Sequence, residues 1–254
     1  MSEKIRISNL FGALGVALCS SAVHAVPMIF FAEDTSTTQS VVGTDSQATR
    51  NDFLSSLIGV GNEDFDSFVV GTTNPTLSFP GSSGALSAQL SGDSCVDNNP
   101  GDGCGNTDNP GRWATSGNQF WETTSGGNFE IDFSTAISAF GFYGTDIGDA
   151  NNRLLITLTD TLNNETSFEV QHSIGFGNTA NSLLFWGFID SADTYTNIAF
   201  SNTGAGGDVF GFDDMVIGDQ DQLAVSEPTT IMLMGFGIAF VGYRQVRRKE
   251  TPKN

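Results

Sequence analysis

Leu183-Leu184-Phe185-Trp186-Gly187-Phe188-Ile189 is the run that decides the fold of this chain. Seven uncharged residues are too few for an ordinary helix and rich in strand formers, so the run predicts a strand covered on both faces. Its neighbours follow another pattern. Leu154, Ile156 and Leu158 alternate with less apolar residues, and Phe129, Ile131 and Phe133 do the same, which predicts strands with one wet face. Further strands are expected at 27–31, 65–70, 85–90, 137–143, 168–171, 198–200 and 209–217, separated by Gly, Pro, Asn and Ser clusters. About nine or ten short strands at these spacings argue for an all-β, antiparallel sandwich. One short helix precedes them: Asp45 or Ser46 can cap it, and Phe53, Leu54, Leu57 and Ile58 recur at helical spacing up to Gly59 and Gly61. Segment 91–127, rich in Gly, Asn, Asp and Ser, reads as a long surface loop.

The charge is unevenly spread along the 254 residues. Between Val26 and Ser226 the only basic residues are Arg50, Arg112 and Arg153, three against twenty-six Asp and Glu, a balance of −23 beside −19 for the whole chain. Such a surface repels nucleic acid, which is excluded as a partner. Twenty-one Phe supply the burial that a disordered acidic chain lacks, so this region folds, as one domain expected over 26–222.

Both ends carry address segments. Lys4 and Arg6 precede an apolar run from Leu10 to Leu18, and Val23-His24-Ala25 offers small residues where signal peptidase cuts, so residues 1–25 are expected to be removed. Cys19 lies too far inside the apolar run for a lipoprotein signal. At the other end, 223–254, Ser226-Glu227-Pro228 precedes an apolar stretch, 229–243, and then Arg244, Arg247, Arg248 and Lys249 in a basic tail, 244–254. The stretch is shorter than the roughly 20 residues of an ordinary span and crosses a bilayer with help from its flanks. Basic residues after it keep that end cytoplasmic.

This order of motif, short apolar helix and basic tail resembles the PEP-CTERM sorting signal of bacterial exported proteins, substrates of membrane transpeptidases called exosortases. That family usually has Pro-Glu-Pro where this chain has Ser226-Glu227-Pro228. The body resembles the Phe-rich ectodomain common in the same family, at IFFAED (29–34), FLSSLIGVGNEDFDSFVVGTT (53–73), GRWATSG (111–117), ISAFGFYGTDIGD (137–149), LLFWGFID (183–190) and GFDDMVIG (211–218). The resemblance implies a jelly-roll-like sandwich that passes through the inner membrane, is held there, and reaches the cell surface or extracellular matrix. It also implies an association with exopolysaccharide and biofilm, with no enzymatic class.

Candidate sites come from carboxylates, cysteines and tryptophans. Cys95 and Cys104 enclose VDNNPGDG, a turn-forming stretch, and in an oxidising compartment they are expected to form a disulfide; their spacing, with no His nearby, does not suit zinc. Phe65-Asp66 and Phe212-Asp213-Asp214 resemble the elements that hold structural calcium in jelly-roll carbohydrate-binding modules, so Asp66, Asp213 and Asp214 are candidate ligands. Asp146 with Asp149, and Asp97 with Asp102 and Asp108, are weaker acidic sets without calcium-loop spacing. Trp113 and Trp121, in polar context beside Arg112 and Glu122, are candidate platforms for a sugar, which makes a carbohydrate-binding module the alternative reading. A glycosidase-like carboxylate pair is the second alternative. His172 is the single histidine after residue 25, and there is no G-x-S-x-G elbow, so the chain is not read as an enzyme.

Overall fold

The computed structural model describes residues 26–35, 42–98, 104, 111–124, 126–147, 153–172, 182–203 and 209–224. Two six-stranded antiparallel sheets face each other. The first runs β1 (Met28–Asp34), β10 (Leu183–Ile189), β7 (Ala139–Thr145), β12 (Val209–Gly218), β5 (Gln119–Thr124), β4 (Ser94–Asn98). The second runs β2 (Thr76–Gly81), β3 (Gly84–Gly92), β6 (Phe129–Ile137), β11 (Tyr195–Asn202), β8 (Leu154–Asp160), β9 (Glu165–Glu169). The expected all-β sandwich is what forms.

Between the sheets the Phe residues pack ring to ring. Phe129 stacks on Phe200 with centroids 4.2 Å apart, and Phe212 meets Phe129, Phe142 and Phe200 at 5.1, 5.3 and 5.7 Å. In β10 the two-sided burial expected of the opening run is realised. Leu184, Trp186 and Phe188 enter this inter-sheet core, while Leu183, Phe185 and Ile189 join a second cluster on the outer face. Helix α1 (Thr44–Ser55) roofs that outer face by setting Phe53 5.5 Å from both Phe30 and Phe185. Gly141 of β7 makes the close approach possible. A Cβ there would sit 2.9 Å from the Phe185 ring and 3.1 Å from Phe53.

Several expectations fail for physical reasons. Residues 65–70 form a turn rather than a strand; Phe65 is buried with φ of 60°, and its apolar neighbours serve a loop packed on the sandwich. The 137–143 segment splits at Ser138, which sends β6 and β7 to different sheets. Segment 91–127 contains β4 and β5, whose polar residues are paired in register Cys95↔Glu122 and Asp97↔Phe120. Helix α1 is capped neither by Asp45 nor by Ser46. Asp34, at the end of β1, accepts from the Ser46 N–H at 2.8 Å and the Asp45 N–H at 3.2 Å.

The described fold ends where Leu223 bridges Leu57 and the Ala224 N–H donates to the Ser56 carbonyl at 2.8 Å. Among the described residues no helix is long and apolar enough to cross a membrane. Residues 1–25, the motif Ser226-Glu227-Pro228, the stretch 229–243, and Arg244, Arg247, Arg248 and Lys249 lie outside the described residues, as do Asp102, Asp108 and Asp149.

Candidate functional site

Carboxylates gather around the segment Gly111–Asn118, which lies on the outer face of the first sheet beside α1. Its amides have no sheet ladder to join, and buried amides need acceptors. Asp213 of β12 supplies them: its Oδ2 accepts from the N–H of Thr115 at 2.6 Å, from the N–H of Ser116 at 3.2 Å and from the Thr115 hydroxyl at 2.9 Å. Asp214 follows at φ of 51°, in a bulge where the register of β12 on β7 shifts. That bend brings it to the same segment, where it accepts from the Thr115 and Ser116 hydroxyls and, at 2.6 Å, from Asn62. Without the bulge Asp214 would share a face with Phe212 and point into the core.

The Thr115 hydroxyl carries one hydrogen and meets two carboxyl groups, Asp213 at 2.9 Å and Asp214 at 2.8 Å. A proton on the Asp213 carboxyl would let it donate one of these two contacts. Consistent with this, burial and the neighbouring Asp214 hold the Asp213 carboxyl well above the usual carboxylate range, although the amides of Ser116 and Asp214 pull the other way.

Asp66 grips the far end of the same segment. Its Oδ1 accepts from the N–H groups of Asn118 and Gln119 at 2.8 and 2.9 Å, beneath Gly117, whose φ of 57° and close contact with the Asp66 carboxylate leave no room for a side chain. Of the three calcium candidates, Asp66 and Asp213 hold backbone amides of this stretch, and Asp214 holds the Thr115 and Ser116 hydroxyls. Among the described residues the single cluster of three groups with potential ligand atoms within 4.8 Å of one another is Asp97, Cys104 and Glu122.

Asp97 and Glu122 belong to a buried charge network. Arg112 places Nε 2.6 Å from Glu122 Oε2 and a terminal nitrogen 3.9 Å from Asp97 Oδ2, with all three side chains at most 2% exposed. Cys95 and Cys104 form the expected disulfide beside it, with Cα atoms 5.9 Å apart. Sequence reading missed this network, and one signal pointed to it: Arg112 is one of three basic residues in an acidic body, and Glu122 follows Trp121 in a strand. Of the other two arginines, Arg50 lies 5.5 Å from the Tyr143 ring centre and donates to Asn62, while Arg153 pairs with Glu169 in solvent. Burial pushes the Tyr143 phenol up to about 12 despite the Arg50 charge.

Trp113 and Trp121 are both fully buried, which corrects their reading as sugar platforms. Trp121 stacks 6.2 Å from Phe65 and meets Phe129 edge-on at 6.0 Å, and Trp113 joins the cluster under α1 with Tyr143. Each indole is core. Asp146, at φ of 62°, is buried against Gly111. Chemically, these carboxylates orient and neutralise protein groups; the arrangement is that of a clamp on Gly111–Asn118.

Residues 224–249 match the PEP-CTERM protein-sorting motif, so the chain carries this motif, and it begins at the last described residue. Comparison with curated proteins yields no match. Among solved structures the chain is similar to TmCBM61 in complex with beta-1,4-galactotriose, at 20% identity over 51% of this chain and 86% of that one, TM-score 0.33. It is also similar to the K2 cleaved adhesin domain of Lys-gingipain (13% identity, 62% and 97% covered, TM-score 0.33). A third is the C-terminal family 22 carbohydrate-binding module of Clostridium thermocellum Xyn10B (11% identity, 65% and 97% covered, TM-score 0.32). Likeness at this level assigns no ligand to the present chain.

Proposed function

We propose that this chain is an exported, non-catalytic surface or extracellular-matrix protein. Its sandwich is held in the inner membrane by 229–243 and then released by an exosortase acting at Ser226-Glu227-Pro228, after signal peptidase has removed 1–25. The observation that carries this reading is the sorting motif at 224–249, which begins at Ala224, the last residue bonded into the described fold. A folded domain that ends at the motif is delivered whole by one cut. The acidic body, the disulfide and the basic tail support export in the same orientation. The extracellular partner in this reading is polysaccharide, with biofilm as the setting, since the body's resemblance is to proteins of that route.

The test is mass spectrometry of the protein recovered from cells with a sorting transpeptidase and from cells lacking it. Loss of 229–254 only in the first is expected; an intact tail in both would end the sorting claim.

A further inference from the structure

Two open sheets leave four edge strands, and an edge strand offers unpaired amides and carbonyls to any chain that comes alongside. Three of the four edges are guarded. At β4 the Val96 N–H donates to the Thr72 carbonyl at 2.9 Å, and the Val96 carbonyl accepts from the Gly71 N–H at 2.8 Å, so the backbone at 71–72 covers that edge. β2 carries Pro80, which has no N–H to offer, and β9 is five residues long with exposed Glu165 and Glu169 at its ends.

β1 lacks such guards along most of its length. Among the described residues the backbone of Met28, Ile29, Phe30, Phe31 and Ala32 pairs with β10 alone, and this stretch holds neither proline nor charge. A strand bonded on one side turns the N–H and C=O groups of alternate residues toward the other. Exposed apolar side chains independently mark the same edge. Val26, Met28 and Ile29 are 80, 53 and 39% exposed, three of the six large apolar side chains exposed among the described residues. The other three, Ile58, Val69 and Leu162, lie outside the strands and far apart in sequence.

We propose that the free edge of β1 pairs with β1 of a second copy of this chain, antiparallel about a two-fold axis, so that the two first sheets join into one. Charge selects the orientation. β1 is apolar at its start and ends in Glu33-Asp34. Parallel pairing in register would set these acidic ends side by side, which is destabilising. Antiparallel pairing about Phe30 instead sets residue 26 of one copy across from residue 34 of the other. Processing supplies the complementary charge: once signal peptidase has removed 1–25, Val26 carries an α-ammonium, and the inference rests on that part of the proposed function. No lysine lies between residues 26 and 248, so this ammonium is the one amine of the body, and the two-fold pair places it at the partner's acidic end twice. The pairing also closes on itself, because each copy spends its one bare edge.

The test is sedimentation equilibrium of the exported chain purified from cells, with its first residue identified by mass spectrometry. A dimer starting at Val26 is expected. A different first residue would overturn both the export reading and this inference, whereas a monomer starting at Val26 would overturn this inference alone. A monomer whose edge takes up an added strand peptide would equally overturn it, since the occupant is then a foreign chain. Met28→Asp sets acid against the partner's acidic end at an exposed position, and is expected to weaken the dimer on the order of tenfold through one like-charge contact per copy. Its circular dichroism and melting temperature check that it folds; an undiminished dimer counts against the β1 edge. In the unmutated chain a zero-length carbodiimide link is expected from the residue 26 amine of one copy to Glu33 or Asp34 of the other, identified by mixing isotope-labelled and unlabelled chains. A dimer without that link would be built on another surface and would overturn the proposal.

Discussion

The second sheet turns one face to water, and its strands show it: buried and exposed residues alternate along β6, and buried and half-buried ones along β8. In the first sheet β7, β10 and β12 are buried at every position, because α1 and the Gly111–Asn118 segment cover the side that faces away from the core. The difference teaches where the acid went. A sheet with a wet face leaves its carboxylates in solvent, whereas a roofed sheet must satisfy the polar groups of its roof: Asp34, Asp66 and Asp213 take backbone amides and Asp214 takes hydroxyls.

Substitutions should therefore be graded by sheet. The largest effect is expected at Arg112→Met, which removes the buried cation beside Asp97 and Glu122; a loss of about 3–5 kcal/mol should appear in urea unfolding. Phe53→Ala should cost a similar or slightly smaller amount, about 3 kcal/mol, since it empties the contact between α1 and β10, with loss of helical circular dichroism as the companion reading.

The Asp213 prediction is one of sign. Its folded pKa lies above the unfolded chain's 3.8, so the native state keeps a proton that the unfolded state loses. The stabilisation is fully present below 3.8 and is lost as pH rises through the folded value, at a slope approaching about 1.4 kcal/mol per pH unit. Asp213→Asn should remove this component from the difference between stability–pH curves; an unchanged slope would show that the proton is held elsewhere.

Asp34→Ala should cost about 1 kcal/mol, the value of a helix cap, although the residue belongs to a strand. On the exposed side Arg153→Ala, which breaks the solvent pair with Glu169, should change stability by less than about 1 kcal/mol. A loss at Arg153 equal to that at Arg112 would erase the contrast between the sheets.

Periodicity made the core legible. β10 was readable because two covered faces require an unbroken apolar run, and β3, β6 and β8 because one covered face requires alternation. The roof was not readable in the same way. The stretch 65–70 reads as a strand, but Phe65 and Phe68 pack from a turn, since burial constrains side chains and leaves the backbone path open. Cys95, Asp97 and Glu122 sit in a stretch whose composition suggests a loop; their pairing depends on strand register, which local polarity does not encode. Asp66, Asp213 and Asp214 stand out in the sequence as candidate calcium ligands. In the structure they meet amides and hydroxyls of one stretch, Asp214 among them because a bulge turns it away from the core. Trp113 and Trp121 show the converse error: polar sequence neighbours say little about a ring that a roof will cover.

The hydrogen bond from Ala224 to Ser56 sets a ruler at the end of the sandwich. Five peptide steps separate Ala224 from Thr229, and a fully extended chain covers about 18 Å in that distance. In the proposed anchored intermediate that length would be the whole leash between sandwich and lipid, with Ser226-Glu227-Pro228 inside it. A transpeptidase acting there, as proposed, would need a low approach along the bilayer, or the Leu223–Ala224 contacts would have to peel from Ser56 and Leu57 to lengthen the leash. The stability of that small contact would then set how quickly the protein leaves the membrane.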